Sequence, residues 1–351
     1  MAKTMTSSTN TGKMQEQMLG WYDQQGRSLP WRARGDQIPE PYHVWLSEIM
    51  CQQTTIQAVI PYFMKFIKKW PSIHDLAKAS QEDVMHEWAG LGYYARARNL
   101  HKCAKVVSEK LDGRFPNNKK ALMELPGIGD YTSAAIASIV FDEAAPVVDG
   151  NVERVASRVF AFEEPLPTAK PKLKKEAERL YTKNKERHGD LAQAYMDLGA
   201  MICTPKSPKC MICPIREGCK GYALGIASEL PQKEAKKAKP KRYGQYYWIT
   251  NKEDAVLFER RAEDRMMGGM LALPSTDWDL KLETTHLELN NVEEMGANHT
   301  VRHSFTHFDL ELSGFKADFE PKSSNFIWVS TDKIVDLGLP SLFKKAVKLM
   351  I

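Results

Sequence analysis

Through the first two thirds of the chain, apolar residues recur at the spacing of helices with one buried face. Residues 13–25 carry a stripe of Met14, Met18, Trp21 and Tyr22. Pro41-Tyr42 opens a helix whose apolar face is Val44, Trp45, Ile49 and Met50, with Glu48 immediately beside it. Further helices are predicted at 55–70, 81–89, 96–111, 149–162, 170–187 and 190–203, and a helical hairpin is predicted over 118–141 around the turn Leu125–Gly129. From Tyr243 the pattern changes to short alternating or aromatic runs: Tyr246–Thr250, Ala255–Glu259, Phe308–Leu312 and Phe326–Ser330. A last helix is expected over Pro340–Met350. The pattern divides the chain into a disordered tail (1–12), an all-α region (13–229), an extended Lys- and Pro-rich linker (230–242) and a separate α+β domain (243–351).

Composition narrows the class. The 351 residues suffice for two or three domains, and 43% hydrophobic with 26% charged residues is ordinary for a water-soluble globular protein. No run approaches the roughly 20 apolar residues of a membrane-spanning helix, and the first residues lack the apolar core of a secretory signal. A cytoplasmic protein with no membrane partner is expected. Charge is uneven: residues 1–242 hold 37 Lys+Arg against 27 Asp+Glu, and residues 243–351 hold 12 against 17. A basic first part suits a polyanionic partner, as it also suits solvated helical faces.

Five features carry chemistry. The turn Leu-Pro-Gly-Ile-Gly, with Gly127 and Gly129, leaves the first N–H groups of the following helix open to an anion such as phosphate. Asp149, 18 residues past Tyr131, stands where the next helix starts, as a cap or as a carboxylate with work to do. Glu48 at the edge of an apolar face is either solvated or, if buried, paired, protonated or used. Gly90-Leu91-Gly92-Tyr93-Tyr94 sets two aromatics on a flexible turn, to cap a core or to enter a base stack. Cys203, Cys210, Cys213 and Cys219 follow a C-x6-C-x2-C-x5-C spacing. A single C-x2-C pair within so short a span is unlike a zinc ribbon and suits a [4Fe–4S] cluster. Cys51 and Cys103 lie among apolar neighbours as buried thiols.

Taken in order, LPWR (Leu29 to Arg32), PYHVWLSEIMCQQT (Pro41 to Thr54), GLGYYARARNLH (Gly90 to His101), the hairpin-to-aspartate run, MDLGAMICT (Met196 to Thr204), the four cysteines and VRHSFTHFDL (Val301 to Leu310) resemble the MutY adenine DNA glycosylases, bacterial in style, over nearly the whole chain. The resemblance implies an all-α helix-hairpin-helix glycosylase core with an iron–sulfur cluster loop at 203–219, and a C-terminal α+β Nudix-like domain. It implies excision of adenine mispaired with 8-oxoguanine or guanine in double-stranded DNA, by a bacterial, nucleoid-associated monomer of base-excision repair. Carried over residue by residue, Glu48 matches the general acid that protonates adenine at N7, with its pKa raised by apolar neighbours. Asp149 matches the carboxylate that stabilises the sugar cation, kept ionised by the helix start. Asn151 orients water and carboxylate. Leu29, Trp31, Arg32 and Gln193 match the adenine pocket, Gln53 and Tyr93 match residues inserted near 8-oxoguanine, and Gly127 and Gly129 match phosphate contacts. Arg96 and Arg98 are further phosphate candidates. The loop Phe305-Thr306-His307 matches the 8-oxoguanine reader.

Tyr131 stands where endonuclease III-like glycosylase–lyases carry a Schiff-base lysine, which implies an enzyme that stops at the abasic site. The chain departs from the family pattern at Thr306, where serine is usual, and at Met267, where tryptophan is usual. A loop within Ala33–Glu40 is about four residues longer. Glu293-Glu294-Met295-Gly296 mimics the tail of the metal-binding Nudix helix, but Leu289 and Asn290 replace its Arg and Glu, so recognition rather than hydrolysis is implied. The alternatives are a glycosylase–lyase acting on oxidised pyrimidines and a non-catalytic iron–sulfur DNA-binding protein.

Overall fold

The structure, a computed structural model, describes residues 10–33, 35, 37–182, 185–235, 238–281 and 287–351. The chain divides into two compact units, Met1–His74 with Lys102–Ala235, and Asp75–His101 with Lys236–Ile351. The second unit thus takes in a helical segment that the hydrophobic pattern alone leaves with the all-α region.

Among the described residues, twelve α-helices precede the α+β domain: α1 (Thr11–Gln25), α2 (Pro41–Cys51), α3 (Ile56–Lys69), α4 (Ile73–Lys78), α5 (Gln81–Trp88), α6 (Ala95–Lys110), α7 (Lys119–Leu122), α8 (Asp130–Phe141), α9 (Gly150–Phe160), α10 (Lys170–Glu178), α11 (His188–Met201) and α12 (Lys220–Ala223). Local chemistry sets their starts. The Glu40 carboxylate accepts from His43 N at 2.7 Å with Pro41 at the first helical position, and Asn118 Oδ1 accepts from Ala121 N at 2.9 Å. Of the tail expected at 1–12, residues 1–9 lie outside the described residues; α1 is already helical at Thr11, its first turn capped by Asn10. The helix expected over 170–187 ends at Glu178. The Leu180 carbonyl is taken instead by Gln15 Nε2 at 2.5 Å, and the Tyr181 hydroxyl turns to Val147 O at 2.6 Å.

In the first unit α8 packs against α2, α7 and α11, and α11 also packs against α9 and α1. Thr132–Ser138 of α8 and nearly all of α11 are buried, which their alanines, serines and glycines permit. At Gly199 a Cβ would stand 2.6 Å from Asn151 Cβ, so glycine there lets α9 and α11 close on each other two residues past Asp149. The expected linker is only partly free. Leu230 is 2% exposed, its carbonyl accepts from Arg158 Nε at 2.9 Å, and Gln232 O accepts from Leu166 N at 3.0 Å. A strand begins within the linker at Lys241, and residues 236–237 lie outside the described residues.

The α+β part of the second unit holds β1 (Lys241–Trp248), β2 (Ala255–Arg260), β3 (Leu271–Ala272), β4 (Asn290–Glu294), β5 (Val301–Ser304), β6 (Asp309–Asp318), β7 (Phe326–Ser330) and α13 (Ser341–Lys348). β6 pairs in parallel with β1 along one edge, and antiparallel with β5 and then β4 along the other; β3-β2-β7 form a second, antiparallel sheet. Alternation along β6 buries Leu310 and Leu312, which join Tyr246, Val256, Phe258, Leu342 and Phe343 in the core. The two glutamates of the segment that mimics a Nudix tail, Glu293 and Glu294, end the exposed strand β4 rather than lying on a helix. Its glutamates therefore do not sit on one helical face, as a metal site of that type would need.

Candidate functional site

The first unit encloses a cleft of about 1240 Å³. Eleven residues singled out from the sequence line it: Leu29, Trp31, Arg32, Glu48, Gln53, Gly127, Gly129, Tyr131, Asp149, Asn151 and Gln193. They come from the 29–32 turn, α2 and the turn after it, the hairpin turn, α8, the start of α9 and α11, which lie far apart in sequence.

Glu48 projects from α2, and Tyr131, in the first turn of α8, donates its hydroxyl to Glu48 Oε2 at 3.0 Å. Burial pushes the Glu48 carboxyl up to about 7, and the neighbouring Asp149 adds to the rise; the Tyr131 hydrogen bond and Arg32 oppose it. Burial likewise drives the Tyr131 phenol well above its ordinary value, so it remains a neutral donor.

Asp149 is the N-cap of α9. Its Oδ1 accepts from Asn151 N at 2.9 Å and Val152 N at 2.7 Å, and its Oδ2 accepts from Asn151 Nδ2 at 2.7 Å. The start of a helix at this position is expected to help keep it ionised. In the structure burial outweighs these donors, and the Asp149 carboxyl lies above its ordinary value.

Residues that the sequence did not single out hold this arrangement. Asp197, fully buried on α11, receives Arg27 Nε at 2.6 Å, and Arg32 Nη1 and Nη2 at 2.7 and 2.9 Å. This two-arginine clamp fixes the turn that presents Leu29 and Trp31, and it spends the Arg32 fork on Asp197. The Trp31 ring meets Phe63 edge-on at 5.1 Å. A charged residue amid the apolar run Ala194-Tyr195-Met196-Asp197-Leu198 was the available signal. Arg154 is the second such residue, donating to Asn151 Oδ1 at 2.9 Å, Gly199 O at 2.7 Å and Cys203 O at 2.7 Å. One side chain thus joins the residue beside Asp149 to the first cysteine of the loop. Lys170, which also lines the cleft, pairs with Glu153 at 3.2 Å.

At the hairpin, Gly127 has φ +76°, which a side chain would resist. Gly129 precedes α8 without a side-chain cap, and a Cβ there would meet nothing within 4 Å. Gln53 and Tyr93 both hold left-handed φ values, +57° and +49°. Tyr93, Phe305, Thr306 and His307 belong to the second unit. The Tyr93 hydroxyl hydrogen-bonds Thr306 Oγ1 at 2.7 Å, and His307 is exposed. Phe305 packs inward, its ring stacked on Trp278 at 5.8 Å and close to Phe308 at 4.8 Å. The two arginines taken as phosphate candidates are engaged within the protein: Arg96 lies over the Trp88 and Tyr93 rings, and Arg98 donates to the Gly268 and Glu263 carbonyls.

Cys203, Cys210, Cys213 and Cys219 line one small cavity together with Arg158, whose Nη1 donates to Cys203 Sγ at 3.2 Å. Among the described residues no three His, Cys, Asp or Glu side chains group as for a single metal ion. Four soft thiolate donors around one cavity, with a buried arginine aimed at a sulfur, fit an iron–sulfur cluster, in which different irons take different cysteines. Among the described residues no helix is long and apolar enough to cross a membrane.

Comparison with known proteins finds three matching families along the chain. Residues 46–183 match the HhH-GPD superfamily of base excision DNA repair proteins, residues 203–219 match the iron–sulfur binding domain of endonuclease III, and residues 245–349 match a NUDIX domain. The adenine DNA glycosylase of Buchnera aphidicola subsp. Schizaphis graminum is 32% identical over 346 residues, covering 95% of this chain and 97% of that one. The human adenine DNA glycosylase is 46% identical over 210 residues, covering 58% of this chain and 38% of its own. A solved thermostable thymine-DNA glycosylase matches 62% of this chain and 99% of its own, with 32% identity and a TM-score of 0.52. The chain belongs to the MutY family of adenine DNA glycosylases, DNA N-glycosylases of base-excision repair built from a helix-hairpin-helix core, an iron–sulfur loop and a Nudix-like domain.

Proposed function

We propose that this chain binds double-stranded DNA holding adenine opposite 8-oxoguanine or guanine, draws the adenine out of the stack into the cleft, and hydrolyses its N-glycosidic bond without cutting the strand. The observation that carries this reading is the Glu48 carboxyl: lifted to about 7, it remains a usable acid at neutral pH, inside the cleft that Asp149 also lines. Glu48 protonates the leaving base at N7, with Tyr131 holding the carboxyl in place. The Asp149 carboxylate, an anion throughout, faces the cationic sugar that forms as the base leaves, and its three N–H contacts stabilise that anion. Asn151, itself held by Arg154, orients the attacking water. The hairpin amides around Gly127 and Gly129 take a backbone phosphate.

Two further parts follow the same reading. In the second unit, Tyr93 and the Phe305-Thr306-His307 loop meet the base opposite adenine. With Phe305 packed on Trp278, the polar reading falls to Thr306 and His307. Cys203, Cys210, Cys213 and Cys219 would hold a [4Fe–4S] cluster, which when bound supplies four iron–thiolate bonds that tie the loop into one rigid piece. Iron and sulfide analysis should give about four of each per chain. Zinc alone would refute the assignment.

The likeness to a thymine-DNA glycosylase brings in thymine as a second substrate, and the endonuclease III-type loop brings in a lyase. Tyr131 offers no amine, and Lys170 is held by Glu153, which favours a reaction that ends at the abasic site. Duplexes with A opposite 8-oxoguanine, G, C and T, and with T opposite G, decide among these. The expected result is alkali-labile sites at A opposite 8-oxoguanine and G only, with no borohydride-trapped adduct. Strand cutting without alkali, or preferred release of thymine, would reverse the assignment.

A further inference from the structure

The Tyr93 turn and the α+β domain belong to one compact unit, and their polar ties are specific. Gly92 and Tyr93 both take left-handed φ, +73° and +49°. Trp88 Nε1 donates to Gly92 O at 3.1 Å, and the Arg96 guanidinium lies 5.4 Å from the Tyr93 ring centre. From this support the Tyr93 hydroxyl reaches Thr306 Oγ1 at 2.7 Å, yet Tyr93 is 46% exposed and Thr306 is exposed as well. A hydrogen bond between two solvated hydroxyls contributes little by itself, so it persists only where other contacts hold its two supports in register.

Arg98 supplies that register. It follows Tyr93 at the start of α6, where its N–H donates to Tyr94 O at 3.2 Å. Its Nη1 donates to Gly268 O and its Nη2 to Glu263 O at 3.0 Å, both in the loop between β2 and β3. The same loop carries Met267, which packs on the core of the α+β domain. Arg260 to Glu82 at 2.5 Å and His86 Nε2 to Asp336 O at 3.0 Å tie α5 to the domain. A rigid fork bonding two carbonyls five residues apart fixes a loop in a way a single ammonium cannot.

We propose that Arg98 is a positioning residue for reading the base opposite adenine: it locks the Tyr93 turn to the loop between β2 and β3, so that Tyr93 and Thr306 meet that base as one hydrogen-bonded pair. The proposal rests on the reading that Thr306 contacts 8-oxoguanine. The test is the ratio of single-turnover adenine excision opposite 8-oxoguanine to that opposite G, in the full chain, for wild type, Arg98→Met, Thr306→Val and the double variant, with Arg98→Lys as the milder change. Each single variant should lower the ratio about tenfold, as losing one or two hydrogen bonds allows. The double variant should fall no further than the lower single, and Arg98→Lys should lie between Arg98→Met and wild type. If Arg98→Met lowers both rates together at constant ratio, or if its effect multiplies with that of Thr306→Val, the positioning role is wrong. If Thr306→Val lowers the ratio and both Arg98 variants keep it, the positioning role alone fails. If Thr306→Val leaves the ratio unchanged, the loop reading fails first and the proposal falls with it.

Discussion

The cleft of the first unit and the Tyr93–Thr306 surface of the second use polar groups in opposite ways. In the cleft, burial sets the chemistry: it lifts Glu48 to about 7 and raises Asp149 in spite of three N–H donors. On the Tyr93–Thr306 surface the hydroxyls stay in water, and geometry alone gives their contact meaning. Substitutions in the cleft should therefore act through large electrostatic effects, and those on the surface through small, selective ones.

The largest effect tests the cleft half of this contrast. Glu48→Gln and Asp149→Asn should each lower excision by about a thousandfold or more, measured in single turnover. Retention of a tenth of the rate in either would mean that burial of that carboxyl is structural only.

Asp197→Asn comes next, because it leaves two arginines beside a neutral amide. A destabilisation of about 3–5 kcal/mol is expected from urea unfolding, together with slower excision from a loosened Leu29–Arg32 turn. A loss below about 1 kcal/mol would show that water reaches the clamp.

The elevated Glu48 value also predicts a pH-dependent stability. A group whose folded pKa lies above its unfolded value contributes stability below the unfolded pKa of about 4.5, and that contribution is lost as pH rises through about 7. Glu48→Gln should therefore melt near wild type at pH 4.5 and above it at pH 8, by about 1–3 kcal/mol, since water in the cleft screens part of the burial. A gap that shrinks with pH would contradict the elevated pKa. The tenfold selectivity change expected for Arg98→Met is the smallest effect, and it is confined to the surface half.

How far the sequence anticipates the molecule follows from contact range. Helix starts are legible where a cap and its amides lie within three residues, as at Asp149. The Asp197 clamp is not, since its arginines lie 165 and 170 residues away. Arg98 shows the same limit: beside two tyrosines it reads as a phosphate ligand, and only folding brings it to the Gly268 carbonyl, 170 residues on. Strands β3, β4 and β5 are too short or too polar to announce themselves. The Nudix-like tail looks helical by motif but folds as β4, because its backbone pairs with β6. Asp149 is legible as a cap, while the burial that raises its pKa belongs to the assembled cleft.

The most direct test of the central claim is the pH profile of kcat/KM for adenine release opposite 8-oxoguanine, which reports the ionisation of the free enzyme. With Glu48 as the acid, kcat/KM should fall tenfold per pH unit above about 7, and Glu48→Gln should be inactive throughout. A rate that climbs through pH 7, or adenine release by Glu48→Gln at the wild-type rate, would contradict a proton supplied by this carboxyl.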